Sequence, residues 1–245
     1  MRTSTFLTTA AAVAALVAMT GCEPGTTSAQ PISPTPADST AASAAPSTAT
    51  ATAAATGTAA DSLAAAVAAT RAVSAAFVRY AATGFDTLTA TSWAAQVTTS
   101  PPSATGSANL LVDGQRIQTD FEVAGGRLHI QNSDGAREDV GAARGVLDPP
   151  ALLDSLTGLS ALLASVTDAH ADAEPAVLND RPMLRLRAQL PFADARLLLP
   201  ADALAGLAPL PVTLWLDPAA GDVVRQLIIT TGTGAVTVTV DPTPR

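Results

Sequence analysis

Apolar and polar residues alternate in short runs between Leu88 and Ile130, and turn residues separate the runs. Ala108, Leu110 and Val112 share one face of such a run, and the Asp113-Gly114 pair that follows is a strong hairpin signal. Turn residues recur about every 8–12 residues, which is typical of antiparallel strands joined by tight turns. This region therefore predicts an antiparallel meander.

The last third of the chain shows the clearest alternation. Leu184, Leu186 and Ala188 lie on one side of a predicted strand, whereas Arg185 and Arg187 lie on the other. Such a strand has one apolar face that is buried and one polar face in water. Three further strands are predicted, over residues 211–217, 223–231 and 235–240.

Other stretches follow the helical period instead. Asp61 or Ser62 can cap a first helix, which gives way to a strand between Val73 and Phe77. Asp148-Pro149 begins a second, leucine-rich segment, and Gly158 can divide it into two short helices. A further short helix is predicted over residues 200–207. The apolar stripe of the leucine-rich segment comprises Leu152, Leu153, Leu156, Leu159, Leu162, Leu163 and Val166.

The N-terminus has the pattern of an export signal. Arg2 precedes an uncharged apolar stretch that is too short to span a bilayer, which needs about 20 residues. The stretch ends in Met19-Thr20-Gly21-Cys22, and this run resembles the lipobox of bacterial lipoproteins. The resemblance implies that residues 1–21 are a signal peptide and that the Cys22 thiol receives a diacylglyceryl group. An ordinary signal peptide followed by an unmodified cysteine is the alternative.

The residues after Cys22 divide into two predicted parts. Residues 22–60 consist almost wholly of Ala, Thr, Ser, Pro and Gly and have no periodic large apolar residue. Such a stretch has nothing to bury and is predicted to be a disordered tether. Residues 61–245 are predicted to form a single folded domain.

Composition excludes several classes of function. All 13 basic residues are arginine and the net charge is −8, so the chain is not built to neutralise the phosphates of nucleic acid. Only 3% of the residues are aromatic, which predicts an aliphatic core. The acidic balance also argues against electrostatic binding to an anionic membrane surface, so membrane attachment would depend on the acyl anchor.

Residues that could support catalysis or metal binding lack the necessary spacing. His129 and His170 are the two histidines, too far apart for any helix or hairpin spacing to pair them as metal ligands. Asp168, Asp172 and Glu174 fit no calcium loop, and we interpret them as a solvated loop. The sequence has no nucleophile elbow, phosphate loop or dinucleotide fingerprint. We therefore expect no enzyme, no cofactor and no metal.

Three local runs, in this order and spacing, resemble the LprG/LppX-type lipid-binding lipoproteins of mycobacteria. The first is Val97-Thr98-Thr99-Ser100-Pro101 followed by Ala104-Thr105-Gly106. The second is Leu147-Asp148-Pro149 with the helix that ends near Val166, and the third is Pro211-Val212 with Trp215. The resemblance covers about residues 62–242. It implies an α+β fold in which a strongly bent antiparallel half-barrel sheet, with helices over its concave face, encloses an apolar cavity for acyl chains.

The resemblance also implies a function. It predicts a lipoprotein on the outer face of the cytoplasmic membrane that binds acylated envelope lipids or glycolipids and carries them across the cell wall, with a lipid exporter as a further candidate partner. The alternative is a scaffold or sensor lipoprotein with a filled core. The small and aliphatic residues predicted to line the cavity are Ala108, Leu110, Val112, Leu159, Leu162, Leu163, Leu184, Leu186 and Ala188.

Overall fold

An antiparallel sheet dominates the computed structural model, which describes residues 58–85, 88–112, 114–132, 134–174, 176–199, 204 and 209–243. Cys22, the predicted signal peptide and nearly all of the predicted tether lie outside the described residues. The strands are β1 Ala75–Thr83, β2 Ala90–Thr99, β3 Pro102–Val112, β4 Gln115–Ala124, β5 Arg127–Gln131, β6 Arg137–Ala142, β7 Thr167–Ala171, β8 Ala176–Leu178, β9 Arg181–Leu190, β10 Leu210–Asp217, β11 Val223–Thr230 and β12 Ala235–Pro242.

The sheet is open and runs in the order β6-β5-β4-β3-β2-β1-β12-β11-β10-β9-β7, with β8 paired to β9 off this path. Neighbouring strands pair antiparallel, and most are consecutive in the chain. The β4–β5 hairpin shows how the sequence allows consecutive strands to pair. Its turn residues Gly125 and Gly126 have φ of +58° and +74°. A type I′ turn needs positive φ at both central residues, which glycine adopts without steric penalty.

Three α-helices lie in the described residues: α1 Ala59–Arg71, α2 Pro149–Leu152 and α3 Leu159–Ala164. The cap of α1 is Thr58 rather than Asp61 or Ser62. The Thr58 hydroxyl accepts from the amide of Asp61 at 3.2 Å, and the Thr58 amide donates to the Asp61 carboxylate at 3.0 Å. This reciprocal capping box satisfies two backbone donors at the start of the helix.

The predicted division of the leucine-rich segment at Gly158 is confirmed, since α2 ends before it and α3 begins directly after it. A Cβ at Gly158 would lie 2.5 Å from the carbonyl oxygens of Leu152 and Asp154, so only glycine fits. The expectation for Leu156 is wrong. It lies in the connection between the two helices and is 81% exposed, because the helical period is broken there.

The interpretation of residues 168–174 as a solvated loop is also wrong in part. Residues 167–171 form β7, which pairs with β9 at the end of the sheet. Asp172 is half-buried and forms ion pairs with Arg185 and with Arg187 at 3.0 Å. The short helix predicted over residues 200–207 falls outside the described residues apart from Leu204. A 3-10 helix occupies Asp194–Leu197, before this stretch, and a second follows β10 at Pro218–Ala220.

The helices cover one side of the sheet. Helix α2 contacts β2 and β3, whereas α1 contacts α3, β7 and β11. Buried aliphatic and aromatic side chains from the strands and helices form a single core cluster between these layers. The predicted α+β class and open antiparallel sheet are therefore confirmed, while the strong bend and the enclosed cavity remain predictions. No helix in the described part of the chain has the length and apolar character needed to cross a membrane.

Candidate functional site

We call the buried side of the sheet the inner face. A continuous row of directly opposed residues crosses it. Each member is the register partner of the next, from β3 through β2, β1, β12, β11 and β10 to β9. With strands about 4.8 Å apart, the row is about 29 Å long, close to the thickness of the hydrocarbon core of a bilayer. The row consists of Ala108, Trp93, Tyr80, Val238, Leu227, Leu214 and Leu186.

The predicted lining residues lie at the two ends of this inner face. Ala108 and Leu110 are buried on β3, and Leu184, Leu186 and Ala188 are buried or half-buried on β9. The side chain of Val112 is outside what the structure describes. Five strands separate β3 from β9, so the structure places both sets on one face but in widely separated positions along the sheet.

The predicted leucines of α3 belong to the helical layer that covers the inner face. Leu159, Leu162 and Leu163 are all buried, and α3 packs against α1, which crosses β11 and β7. The exposure of Leu163 and of Leu186 is 0%. Both side chains are therefore in contact with protein atoms on every side, and the described apolar layer is filled at these positions.

The inner face also contains aromatic residues that the sequence analysis did not assign to the site. Tyr80 of β1 stacks on Trp93 of β2, and Phe121 is buried on β4. The signal was present in the alternation of β1, β2 and β4, but only the order of strands shows that Tyr80 and Trp93 lie near the centre of the sheet. The Tyr80 hydroxyl donates to the carbonyl of Leu198 at 2.9 Å, which ties β1 to the segment after the first 3-10 helix. Burial raises the pKa of Tyr80 to about 12.

Polar groups on the inner face are few and uncharged. The buried hydroxyls include Thr119, which donates to the carbonyl of Gln131 at 2.6 Å, and Ser160, which donates to that of Ser155 at 3.0 Å. The one buried charged residue among those described is Asp217, and its alternation with Leu216 puts it on the opposite, outer face. An apolar ligand on the inner face would therefore be bound through dispersion contacts and through the removal of its surface from water.

The described residues contain no cluster of three or more histidine, cysteine, aspartate or glutamate side chains able to hold a metal ion. Asp217 forms a structural ion pair with Arg225, whose Nε and Nη2 both lie 3.0 Å from the Asp217 Oδ2. Its other oxygen accepts from the amide of Ala219 at 3.1 Å and caps the second 3-10 helix. This carboxylate is therefore occupied by structural contacts.

The sequence profile of the LppX_LprAFG lipoprotein family matches residues 57–243. The chain belongs to this family. The match covers the whole described sheet and begins just before the capping residue of α1, so the matched region coincides with the elements that build the inner face. This confirms the resemblance on which the expected fold was based.

Individual relatives agree with this assignment. The chain is 28% identical over 138 residues to the lipoarabinomannan carrier protein LprG of Mycobacterium tuberculosis, which covers 56% of this chain and 57% of the relative. It is 34% identical over 116 residues to the protein of the same name from Mycolicibacterium smegmatis, covering 46% and 48%. The matched region thus spans about half the length of these curated relatives.

Solved structures show the same fold. LprF from Mycobacterium bovis superposes with a TM-score of 0.69 at 22% identity, over 77% of this chain and 97% of LprF. LppX from Mycobacterium tuberculosis superposes with a TM-score of 0.58 at 20% identity, over 76% of this chain and 95% of LppX. At this level of identity the superpositions establish the architecture alone.

Proposed function

We propose that this protein is an exported lipoprotein that binds acylated envelope lipids or glycolipids between its sheet and its helices and carries them across the cell wall. In this proposal Cys22 is the acylated residue, and it holds the chain at the outer face of the cytoplasmic membrane. The observation that carries the proposal is the inner face, an apolar row about seven strands wide with no buried charge. Membership of a lipoprotein family and the carrier name of the LprG relatives support it.

The energetics of such a carrier need no catalytic group. An acyl chain of about 16 carbons gains roughly 12 kcal/mol on leaving water, at about 0.8 kcal/mol per methylene. The bilayer offers the same gain, so the protein need only match it for the lipid to exchange in both directions. The inner face supplies aliphatic and aromatic contacts for this purpose along its whole length.

Binding on the filled inner face requires the helical layer to move. Leu163 of α3 and Leu186 of β9 are completely buried, so an acyl chain can reach either side chain only when the packing around it opens. Helix α3 is six residues long and follows the break at Gly158, which favours its movement as a separate unit. A scaffold or sensor role without cargo is the alternative, and the complete burial of these two leucines is the observation that favours it.

The decisive experiment compares two tryptophan substitutions on neighbouring residues of β3. Ala108 lies on the inner face, whereas Ser107 lies on the outer face. Native mass spectrometry of wild-type protein purified from an actinobacterial envelope should detect bound acylated lipid. Ala108→Trp should remove most of that lipid because the indole occupies its place, with a cost in stability of about 1–3 kcal/mol for overpacking. Ser107→Trp should retain the lipid.

Two results would contradict the proposal. If the wild-type protein carries no lipid after purification under native conditions, the filled core is the functional state and the scaffold role is favoured. If both tryptophan variants retain lipid equally, the lipid does not occupy the inner face. Thermal unfolding of each variant shows whether a loss of lipid reflects a loss of fold.

A further inference from the structure

The outer face of the sheet carries an open cleft of about 690 Å³ on the side away from the helices. This volume is within the range of small-molecule sites, about 300–1,000 Å³. The cleft follows a second row of directly opposed residues, in which His170 of β7 is paired with Arg187 of β9, Arg187 with Thr213 of β10, and Thr213 with Ile228 of β11. Gln189 and Trp215 flank this row.

An aromatic ring forms one wall of the cleft. The guanidinium of Arg185 lies 5.4 Å from the centre of the Trp215 ring, and Asp172 fixes this arginine through an ion pair. The Trp215 Nε1–H is buried and has no acceptor among the described residues. A buried donor without a partner costs stability and calls for an explanation such as a bound water or ligand.

Hydrogen-bonding groups of both kinds surround this ring. Thr213 and Gln189 can each donate and accept, and Arg187 has five N–H donors, only part of which are used by Asp172. Asp168 lies in the bulge of β7 with φ of +51° and is one of the residues that line the cleft. Bulges of this kind redirect side chains next to functional sites.

The arginine charges of the cleft are compensated. Arg185 and Arg187 line it, and both form ion pairs with Asp172, which is not itself a lining residue. A phosphate would meet arginines already paired with Asp172 and the Asp168 carboxylate in the lining, whereas a neutral polyol needs no free positive charge. The hydroxyls of a sugar also donate and accept, as do the groups around the cleft, and its C–H faces suit an apolar aromatic wall.

We propose that this cleft binds a neutral sugar. The cleft is lined mainly by outer-face residues, so this inference goes beyond the proposed function and does not depend on lipid binding. Strands β9 and β10 would then serve two ligands, with Leu186 and Leu214 facing the acyl layer and Arg187 and Thr213 facing the sugar.

The test follows the indole N–H signals of Trp93 and Trp215 in ¹⁵N-labelled full-length protein, with Trp215→Phe to identify the second signal. The methyl glycosides of mannose, galactose and glucose serve as neutral probes, and inorganic phosphate serves as the anionic probe. At least one glycoside should shift the Trp215 signal to saturation and leave the buried Trp93 signal unchanged. Phosphate should produce a shift only at much higher concentration, if at all.

Two glutamines on the outer face provide a matched pair of variants. Gln189 lines the cleft, whereas Gln226 is paired with Trp215 on the same face but does not line it. Gln189→Ala should weaken glycoside binding about fivefold through the loss of one hydrogen bond, and Gln226→Ala should change it less than twofold. Thr213→Trp should fill the cleft and abolish the shift, provided that its amide spectrum shows a folded protein.

Three outcomes would overturn the inference. The first is the absence of any glycoside-dependent shift of the Trp215 signal. The second is tighter binding of phosphate than of every glycoside, which would identify an anion site. The third is equal weakening by the two glutamine variants, which would place the sugar elsewhere on the outer face. The glutamine pair decides the matter if Thr213→Trp does not fold.

Discussion

Tyr80 and Trp93 face each other across the β1–β2 pair with their ring centroids 5.7 Å apart and their planes 7° from parallel. The two rings occupy the middle of the inner face, where offset stacking adds to the burial of both. The Tyr80 hydroxyl also donates a hydrogen bond to the carbonyl of Leu198, so this residue joins the sheet to the segment that follows the first 3-10 helix. Its ionisation is consequently linked to folding.

Raising the pH should destabilise the protein through Tyr80. Burial raises the pKa of Tyr80 to about 12 from 10.0, so the folded state favours the neutral phenol. The contribution of the neutral phenol to the free energy of unfolding is complete below pH 10 and is lost as the pH rises through 12. The loss amounts to about 3 kcal/mol. Denaturant unfolding at a series of pH values should show this decline.

Composition makes this measurement unusually specific. Tyr80 is the one tyrosine of the chain, and there is no lysine, so no other side chain is expected to titrate in this interval. Tyrosinate absorbance therefore reports Tyr80 alone. Tyr80→Phe should lose about 1 kcal/mol with the hydrogen bond to Leu198 and should show no decline. An equal decline in this variant would exclude Tyr80 as the cause.

Gly158→Ala should destabilise the protein by about 1–3 kcal/mol. The new methyl group would lie 2.5 Å from the carbonyl oxygens of Leu152 and Asp154, so the connection between α2 and α3 must shift. Gly232→Ala is the control, because a Cβ there meets no atom within 4 Å and no positive φ applies. Thermal unfolding of both variants measures the difference, and equal midpoints would contradict the steric argument.

Two leucines of the α2–α3 region should respond in opposite ways to truncation. Leu163 is fully buried, so Leu163→Ala should cost about 2–5 kcal/mol through lost burial and the cavity it leaves. Leu156 is almost fully exposed, so Leu156→Ala should change the free energy of unfolding by less than about 0.5 kcal/mol. Similar values for the two variants would show that α3 is not packed as described.

Asp217→Ala should cost about 3 kcal/mol. Asp217 is 4% exposed and its partner Arg225 has a side chain only 15% exposed, so the substitution leaves a nearly buried guanidinium without its main counter-charge. Asp139→Ala removes a surface pair with Arg127 and should cost less than about 1 kcal/mol. Arg225 Nη1 also lies 3.8 Å from an oxygen of Asp241. Denaturant midpoints compare the two variants, and a loss for Asp217→Ala no larger than that for Asp139→Ala would contradict the prediction and show that Asp241 compensates for the lost carboxylate.

Cys22→Ala should abolish lipidation of the exported chain. The motive is the lipobox-like run from Met19 to Cys22 behind an apolar leader. Metabolic labelling with a clickable fatty acid should mark the wild-type protein and leave the variant unlabelled and uncut before residue 22. Ser28→Ala, a change outside the run, should be labelled like the wild type, and normal labelling of Cys22→Ala would exclude this residue as the anchor.

Alternation predicted the long strands because their two faces meet different environments. In β9 the buried Leu186 and Ala188 alternate with Arg185 and Arg187, which the sequence displays directly. Strand β7 was not predicted because it contains no large apolar residue. This segment forms a strand through its pairing with β9. Leu156 was misassigned because helical spacing continues through Gly158 in the sequence although the helix does not.

The candidate site depended on information that local patterns do not contain. The alternation within β3 and within β9 predicts on which face of the sheet Ala108 and Leu186 lie. Both residues are buried, as this alternation requires. Their separation by five strands follows from the pairing of β1 with β12, which joins the two ends of the domain. The outer cleft likewise depends on the bulge at Asp168 and on the order β7-β9-β10, neither of which a single stretch of sequence displays.

The two end strands of the open sheet have a consequence for self-assembly. In the described part of the chain, β6 and β7 each have one side without a partner strand, and each contains a bulge, at Val140 and at Asp168. Strand β6 also carries the charged run from Arg137 to Asp139. Bulges and charges oppose the addition of a further strand. Copies crowded together on one surface are therefore not expected to join their sheets through β6 or β7.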